Sequence, residues 1–493
     1  MNAALEKRIK RQVIGKPHRF MAVVPLGFEQ TLINEFLDIG IETTADLEHK
    51  TCDKALSHPE RPFISGDGKV EFTAKLTEAW KAVAYSRIAN RILMEIGNFK
   101  AENFRDFEKK ASEIPWELYL DVRRETKDER NIPSNSKLVT RNSINIHVTC
   151  KHSRLYHSDA VAERFYNIFN GGSLPLTPAD TASATPSAGT PRNAPTQDLY
   201  VHFLDDRCTI WQDLAGEELY KRGHERFVNE APLKETIASA MIFEAFHFLP
   251  STSYCLLDLM AGSGTFSLEA AYIANHLIPG ASRDFALKHQ PAFKEATWKF
   301  LIRRETKDER REKCATVTLA SHVIASTQCE AIHQPIITKI ITSDISERAI
   351  EIIKHNVECS PLADIAPNAI NPKIRDFFSY TAEEIANACK SKSHPIIILN
   401  PPYGKRLDFD APRLYTRIGR KLKELAHDLN AIGMQLTVAI LSPKDDTRNG
   451  AKYTCTANLL HECPSLSPEH NSTAKLIVTS HGGFSLNVFI AKI

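Results

Sequence analysis

The pattern of apolar and polar positions along the chain changes near residue 232. Before that point, short segments either alternate apolar with polar residues or repeat apolar residues at helical spacing. This mixture predicts an α+β region. The segments are predicted strands at 19–25 and 144–149, a predicted hairpin at 199–204 and 208–213, and predicted helices beginning near Gly27 and spanning about 77–92 and 160–169.

From Pro232 onward, continuous apolar runs alternate with long helical patterns. Strands that are apolar at every position are buried on both faces, as in parallel sheets covered by helices. The second half therefore predicts an α/β fold with a doubly wound sheet. The predicted strands are 254–259, 336–343, 396–399, 435–441, 476–480 and 486–491, and the predicted helices are 233–249, 265–277, 346–359 and 412–429.

Composition narrows the class of protein. The 493 residues are 42% hydrophobic and 25% charged, which is typical of folded domains, and no apolar run approaches the ~20 residues of a membrane-spanning helix. Residues 1–17 form a basic tail without the apolar core of a secretion signal. The ten cysteines show no CxxC pair. We therefore expect a cytoplasmic protein with reduced thiols, no metal site and no membrane attachment.

Charge and low-complexity sequence add two expectations. Lys and Arg number 62 against 60 Asp and Glu, so a polyanion could be bound only through local patches. Residues 171–197 contain five prolines and no aliphatic periodicity, which predicts a mobile insertion in the first half.

The first chemical motif is LLDLMAGSGT at 256–265. A buried strand ends in a glycine turn that opens a helix, so backbone N–H groups can approach a ligand closely. Such a turn also serves merely to pack a helix on a strand. A dinucleotide fingerprint would require a third glycine where the chain has Ser267, and no GxxxxGK[ST] phosphate loop exists.

Acidic residues follow two later strands. Asp344, after the strand at 336–343, could accept both hydroxyls of a ribose. It could equally cap the next helix. Asp376 could reach an adenine edge with Phe377 beside the ring. The same residue could equally be an ordinary aspartate of a turn.

The motif Asn400-Pro401-Pro402-Tyr403 directly follows the buried strand 396–399. Two successive prolines hold the backbone extended, so that the Asn400 amide oxygen and the Pro401 carbonyl can converge on one aromatic amine. Tyr403 supplies a ring on which an extruded base can stack. Ligands bind at this edge of open α/β sheets, which makes the motif strongly specific.

These motifs carry a family resemblance. DLMAGSGT, SDIS, RDFF and NPPYG resemble, in this order, the class I S-adenosylmethionine-dependent methyltransferases that act on exocyclic amines of bases. The segments LYKRGH at 219–224 and APLKET at 231–236 are similar to signatures of THUMP-domain RNA methyltransferases, specifically the guanine-N2 enzymes of bacterial 23S rRNA. The resemblance covers 18–493 except the insertion and the neighbourhoods of the octapeptide RRETKDER, which occurs twice, at 123–130 and 303–310. Leu259 and Ala261 depart from the usual Pro and Cys of the family's turn.

The resemblance implies a domain order. It begins with a ferredoxin-like domain at 18–100 and a THUMP domain at 101–216. A linker at 217–231 leads to a Rossmann-like class I methyltransferase domain at 232–493, with a mostly parallel seven-stranded sheet.

The resemblance also implies roles for individual residues. S-adenosylmethionine would be the cofactor, and the target amine needs alignment more than a strong base. Structured RNA would be the partner, with no obligate protein partner. The implied cofactor residues are Pro232, Leu233, Asp258, Gly262, Gly264, Thr265, Asp344, Asp376 and Phe377; the catalytic residues are Asn400, Pro401, Pro402 and Tyr403; and the RNA-binding residues are Lys151, His152, Arg154 and His157.

Two other functions stay open from the sequence. THUMP domains also bind tRNA, so a tRNA guanine-N2-methyltransferase fits. NPPY alone does not distinguish guanine N2 from adenine N6, so a DNA adenine methyltransferase also fits. A non-enzymatic RNA-binding protein is disfavoured, because every core motif is present.

Overall fold

The computed structural model of the chain describes residues 3–44, 63–125, 137–140, 143–170, 196–228, 232–247, 253–303, 336–389, 393–403, 410–445 and 454–493. Two large sheets organise these residues, one in each half of the chain. The predicted insertion at 171–197 lies outside them as far as residue 195, and the RRETKDER copies lie largely outside them.

The sheet of the first half has the strand order β2-β3-β1-β4-β9-β8-β7. Along β8, Leu199, Val201 and Phe203 are fully buried while the residues between them are partly exposed, so one face packs under helices. A separate two-stranded sheet pairs β5 with β6. The strands are β1 Pro17–Val23, β2 Phe63–Gly66, β3 Lys69–Lys75, β4 Arg91–Lys100, β5 Val122–Glu125, β6 Lys137–Thr140, β7 Ser143–Lys151, β8 Thr196–Leu204 and β9 Arg207–Asp213.

The sheet of the second half has the order β12-β11-β10-β13-β14-β16-β15. The strands from β12 to β14 run parallel, and β16 is antiparallel to both β14 and β15. Leu256 and Leu257 of β10 point into different core clusters, which shows that both faces are covered. The strands are β10 Ser253–Asp258, β11 Ile336–Asp344, β12 Lys373–Ile374, β13 His394–Leu399, β14 Thr437–Pro443, β15 Lys475–His481 and β16 Phe484–Lys492.

Helices cover both sheets. The periodicity of the sequence predicted seven of the helices given below, all but one of them to within a few residues. The α-helices are α1 Ala3–Ile9, α2 Glu29–Ile39, α3 Leu76–Tyr85, α4 Phe104–Ser112, α5 Ser158–Asn170, α6 Glu235–His247, α7 Thr265–Ala274, α8 Glu295–Leu301, α9 Glu347–Glu358, α10 Leu362–Ile365, α11 Ala382–Cys389, α12 Ala411–Ala431 and α13 Cys455–Glu462.

Two segments differ from the sequence-based prediction. The helix expected at 77–92 ends at Tyr85, because Arg91 already begins β4 and pairs with Val23 of β1. The basic tail, for which no helix was predicted, is helical: residues 3–14 form α1 and a π-helical turn. Ile9 and Val13, four positions apart, are both buried in the core and hold that segment down.

The predicted domain boundary at 100–101 runs through one continuous sheet. Strand β4 lies before it and β9 after it, yet the two pair along their lengths. The two halves of the chain also share a single hydrophobic cluster, which extends from Ile9 to Ile490. At their contact, the Tyr85 hydroxyl donates to the Leu301 carbonyl (2.8 Å), and Trp80 packs against Phe293 with ring centroids 5.6 Å apart.

The described residues include neither a candidate membrane-spanning helix nor a candidate metal-binding group. Among these residues, no helix combines the length and apolarity needed to cross a membrane. The same part of the chain holds no group of three or more His, Cys, Asp or Glu side chains arranged to bind a metal ion.

Candidate functional site

The predicted site residues converge at the C-terminal edge of the second sheet. Asp258 ends β10, Asp344 ends β11, and Asn400 follows β13. Because β10 lies between β11 and β13 in the parallel sheet, the three strand ends are neighbours. The sheet thus brings together three motifs that are 142 positions apart at most in the chain (258 to 400).

The glycine turn connects the end of β10 to the start of α7, as the sequence predicted. Gly262 and Gly264 have φ of +55° and +78°, in the left-handed region that favours glycine. A Cβ on Gly264 would lie 2.9 Å from Ile353 Cγ1, whereas a Cβ on Gly262 would meet no atom of the described residues within 4 Å. Gly264 therefore serves packing, and Gly262 leaves open space in front of the turn.

Asp344 ties that turn to the second strand. Its Oδ2 accepts from the Gly262 N–H (2.9 Å) and its Oδ1 from the Ser346 N–H (2.9 Å). Ser346 is the N-cap residue of α9, because its side chain accepts from the Ala349 N–H. Asp344 is therefore not the N-cap itself. Each carboxylate oxygen keeps a lone pair for a further donor.

Asp258 is fully buried beneath the turn. One of its oxygens, Oδ2, accepts from both the N–H (3.1 Å) and the hydroxyl (2.7 Å) of Ser267. The other, Oδ1, is buried without a hydrogen-bond partner among the described residues. Burial raises the pKa of this carboxyl to about 7; the Ser267 hydrogen bonds oppose that rise and the charge of Asp344 adds to it. A buried acceptor of this kind fits a ligand that brings a donor or a positive charge.

Asp376 and Phe377 differ in their suitability for the expected adenine contact. Asp376 is partly exposed, and its Oδ1 accepts from the Phe378 N–H (3.0 Å). Phe377 is only 2% exposed and packs in the core cluster beneath the sheet. The ring expected beside an adenine is therefore enclosed by protein, because the short 3-10 helix Phe377–Ser379 turns it inward. Phe378 is the partly buried ring of this pair, and the Arg417 guanidinium lies 3.9 Å from its centroid.

The Asn-Pro-Pro-Tyr segment has an unpartnered acceptor. Asn400 Oδ1 is buried and has no hydrogen-bond partner among the described residues. The Pro401 carbonyl accepts a long contact from the Tyr415 hydroxyl (3.5 Å) and keeps a second lone pair. Pro402 is exposed, and the Tyr403 ring is partly buried. The segment therefore has acceptor capacity at both Asn400 and Pro401.

The tip of the β15–β16 hairpin contacts this segment. The sequence analysis did not predict this contact. Phe484 lies edge-on to Tyr403 with ring centroids 6.0 Å apart. His481 Nε2 lies 2.9 Å from the Pro232 carbonyl, which brings Pro232 to the same edge. Leu233, by contrast, is 3% exposed and belongs to the core. The Gly482-Gly483 pair between the strands signalled a tight hairpin, but nothing in the sequence indicated where the tip would lie.

The predicted RNA patch lies where β7 leads into α5. Lys151, His152 and His157 are exposed, and His157 packs on Tyr156 with ring centroids 4.0 Å apart. Arg154 is exposed as well, but it forms an ion pair with Glu102 and lies 3.6 Å from Asp206. The structure thus brings the four residues together at the surface, with one of the cations partly neutralised.

The chain is similar to known methyltransferases over part of its length. Residues 222–441 match the family model for the RMKL-like methyltransferase domain of UPF0020. Two relatives named ribosomal RNA large subunit methyltransferase K/L, from Psychromonas ingrahamii and Allochromatium vinosum, are each 26% identical to the chain. The alignments cover 76% and 81% of this chain but 43% and 47% of the relatives. The chain therefore spans less than half the length of these curated relatives.

A solved structure supports the fold. SMU.472, described as a methyltransferase complexed with SAH, superposes with a TM-score of 0.62 at 20% sequence identity, covering 97% of this chain and 98% of that one. The predicted Rossmann-like α/β methyltransferase fold is confirmed, and the chain resembles class I RNA methyltransferases of the 23S rRNA type.

Proposed function

We propose that the chain is an S-adenosylmethionine-dependent methyltransferase that modifies the exocyclic N2 amine of a guanosine in large-subunit rRNA. The observation that carries the proposal is the Asn400–Tyr403 segment at the strand edge, next to the glycine turn, where Asn400 Oδ1 has no hydrogen-bond partner in the described part of the chain. The family model for residues 222–441 supports a methyltransferase, and the names of the relatives support rRNA as the substrate.

The residues present fit S-adenosylmethionine, the methyl donor of this class. When bound, it supplies an electrophilic sulfonium methyl group. Gly262 leaves space in front of the turn, and Asp258 Oδ1 is a buried acceptor that awaits a donor. Asp344 and Asp376 offer carboxylate oxygens at the ends of the next two strands. SAH in the related SMU.472 structure agrees with this cofactor.

The NPPY residues would orient the target amine. Asn400 Oδ1 and the Pro401 carbonyl would each accept one N–H, drawing the nitrogen lone pair out of conjugation with the ring. Tyr403 would hold the extruded base by stacking. No general base is required before transfer, because the proton can leave the amine after the methyl group has been attached.

RNA contact is proposed for the first half of the chain. Lys151, His152 and His157 present donors at the surface, and Arg154 joins them where phosphate competes with Glu102 and Asp206. Structured RNA of this kind is bound mostly by shape and backbone contacts. A cytoplasmic location, the THUMP identity of 101–216 and the boundaries given above remain part of this proposal.

Two other substrates fit the same site. A tRNA guanosine would use the identical amine contacts, and adenine N6 presents the same two N–H groups to Asn400 and Pro401. Nucleoside mass spectrometry of rRNA, tRNA and DNA from a strain lacking the protein distinguishes them. Loss of N2-methylguanosine from 23S rRNA alone supports the proposal, whereas loss from tRNA, or of N6-methyladenine from DNA, supports the alternative concerned.

The affinity for the methyl donor should rise with pH. Because the pKa of Asp258 is raised to about 7, this carboxyl is mostly protonated at pH 6. A positively charged ligand favours the carboxylate, so binding at pH 6 must first release a proton and should be about tenfold weaker than at pH 7.5. Calorimetric titration between these values tests this. Asp258→Asn should flatten the dependence, and an affinity that falls as pH rises would contradict the assignment.

Tyr403 should contribute through its ring rather than its hydroxyl. Tyr403→Ala should weaken RNA capture by about 1–3 kcal/mol, the scale of one stacked base. Tyr403→Phe keeps the ring face and should change KM for RNA by less than threefold. Steady-state kinetics with rRNA measures both, and equal losses in the two variants would assign the role to the hydroxyl instead.

A further inference from the structure

Residues 222–228, which we call the strap, lie between the two halves of the chain and were expected to be a linker. Arg222 is 5% exposed, and Arg226 keeps only 13% of its side chain exposed. Such burial is unusual for a linker, since connecting segments run over the surface. The strap therefore belongs to the packed structure of the second half.

Arg226 connects the strap to the first residue after the glycine turn. Its Nη2 donates to Thr265 Oγ1 (2.5 Å), and its Nη1 forms an ion pair with Glu235 at the start of α6. Thr265 begins α7 directly after Gly264. Arg226 thus connects the start of α6 with the start of α7, the helix that follows the turn.

Asn356 of α9 makes a second connection between the strap and the turn. Its side-chain oxygen accepts from the Phe227 N–H (2.8 Å), and its amide donates to the Phe227 carbonyl (2.9 Å) and to the Ser263 carbonyl (3.1 Å). Asn356 is 1% exposed. One buried amide therefore holds the strap backbone and the turn backbone together.

Arg222 anchors the strap at its other end. Its guanidinium donates to both oxygens of the buried Glu269 on α7, at 3.0 and 3.1 Å, and Ser239 donates to the same carboxylate (2.6 Å). Arg222 Nη2 also donates to the Arg87 carbonyl in the first half of the chain (2.9 Å). The strap is thus held at both ends, and the turn is held by the strap.

We propose that the strap fixes the glycine turn in its cofactor-binding conformation, with Arg226 and Asn356 as positioning residues. The turn contains two left-handed glycines, which have a large conformational freedom to lose when a ligand binds. Contacts that fix Ser263 and Thr265 beforehand reduce that loss, and so they strengthen binding. The proposal rests on the proposed function only in taking this turn as the cofactor site.

The test compares two buried ion pairs of equal type. Removing Arg226 alone would leave Glu235 as an unpaired buried charge, so the variant is the double substitution Arg226→Met/Glu235→Gln. The control is Arg91→Met/Asp213→Asn, an arginine–carboxylate pair in the first sheet, far along the chain from the turn. Dissociation constants for S-adenosylmethionine and for rRNA are measured on both full-length variants, with thermal unfolding as the check of folding.

The strap double variant should bind S-adenosylmethionine about tenfold more weakly while its affinity for rRNA stays within twofold of wild type. The control should lose thermal stability to a similar degree and keep its cofactor affinity. Asn356→Leu, which removes the link to Ser263 without touching a charge, should repeat the tenfold loss and serves where the double variant does not fold.

Unchanged cofactor affinity in folded Asn356→Leu, or an equal loss in the control, overturns the strap's role. Failure of the proposed function looks different. If Gly262→Val also leaves cofactor affinity unchanged, the turn itself is not the cofactor site; if Gly262→Val abolishes binding and Asn356→Leu does not weaken it, the strap proposal alone is wrong.

Discussion

Replacing Asn400 by alanine is expected to lower the rate of methyl transfer by about two to three orders of magnitude, the scale for loss of one preorganised polar contact in an active site. The side-chain oxygen of Asn400 is buried and unpartnered among the described residues, so it has the capacity to accept an N–H of the target amine. Alanine leaves the Pro401 carbonyl to act alone. Cofactor affinity should stay within twofold, because the proposed partner of Asn400 is the target base and not the cofactor.

Single-turnover kinetics with saturating RNA measures this rate directly. Asn98→Ala is a matched control, because Asn98 is an exposed asparagine on β4 whose amide contacts Thr209. It should leave the transfer rate unchanged. A near-wild-type rate in Asn400→Ala would remove the amine-holding mechanism, since that mechanism requires the Asn400 side-chain oxygen as an acceptor.

Replacing Gly262 by valine should weaken S-adenosylmethionine binding by at least about a hundredfold. A side chain there projects into the open space before the turn, and it would occupy the volume assigned to the cofactor. Positive φ alone costs a non-glycine residue about 1–2 kcal/mol, which affects folding in any left-handed position. The two effects need to be separated.

Gly433→Val separates them. Gly433 follows α12 and has φ of +76°, and a Cβ there would likewise meet no atom of the described residues within 4 Å. It should show the same backbone strain as lower thermal stability, with an unchanged dissociation constant for the cofactor. Isothermal titration on both variants decides the matter: equal cofactor affinities would place the cofactor elsewhere. Gly264→Val is less informative, because Ile353 lies where the new side chain would go.

The sequence predicted the second half of the fold closely because its signals are local. Continuous apolar runs marked β10 and β13, and the residues that follow a parallel strand must lie at its C-terminal edge. That rule alone put Asp258, Asp344 and Asn400 together. The glycine turn was equally readable, since both glycines adopt the left-handed conformation that only glycine tolerates easily.

Features that depend on tertiary packing could not be predicted in this way. Phe377 adjoins a polar Asp376 in the sequence, yet a short 3-10 helix turns its ring into the core. The strap has the composition of a linker, and only the fold brings Arg222 to Glu269, 47 positions away. The two halves share one hydrophobic cluster, and Thr31 of the first half donates to Glu244 of the second. Nothing in the sequence indicated this packing.

The shared core limits how the roles proposed for the two halves, RNA contact for the first and methyl transfer for the second, can be tested. A fragment that begins near residue 225 would expose the surface that packs on Trp80 and would leave Glu244 without Thr31. Truncation would therefore lower stability and RNA affinity together. Point substitutions in the full chain, such as those above, avoid that confusion.

Incubation of the purified full-length protein with isotopically labelled S-adenosylmethionine and unmodified 23S rRNA, followed by digestion and mass spectrometry of the nucleosides, tests the proposed reaction most directly. The wild type should place label in N2-methylguanosine, and Asn400→Ala should place at least about a hundredfold less there at equal cofactor occupancy. Label in another nucleoside, or equal label with Asn400→Ala, would contradict the proposal.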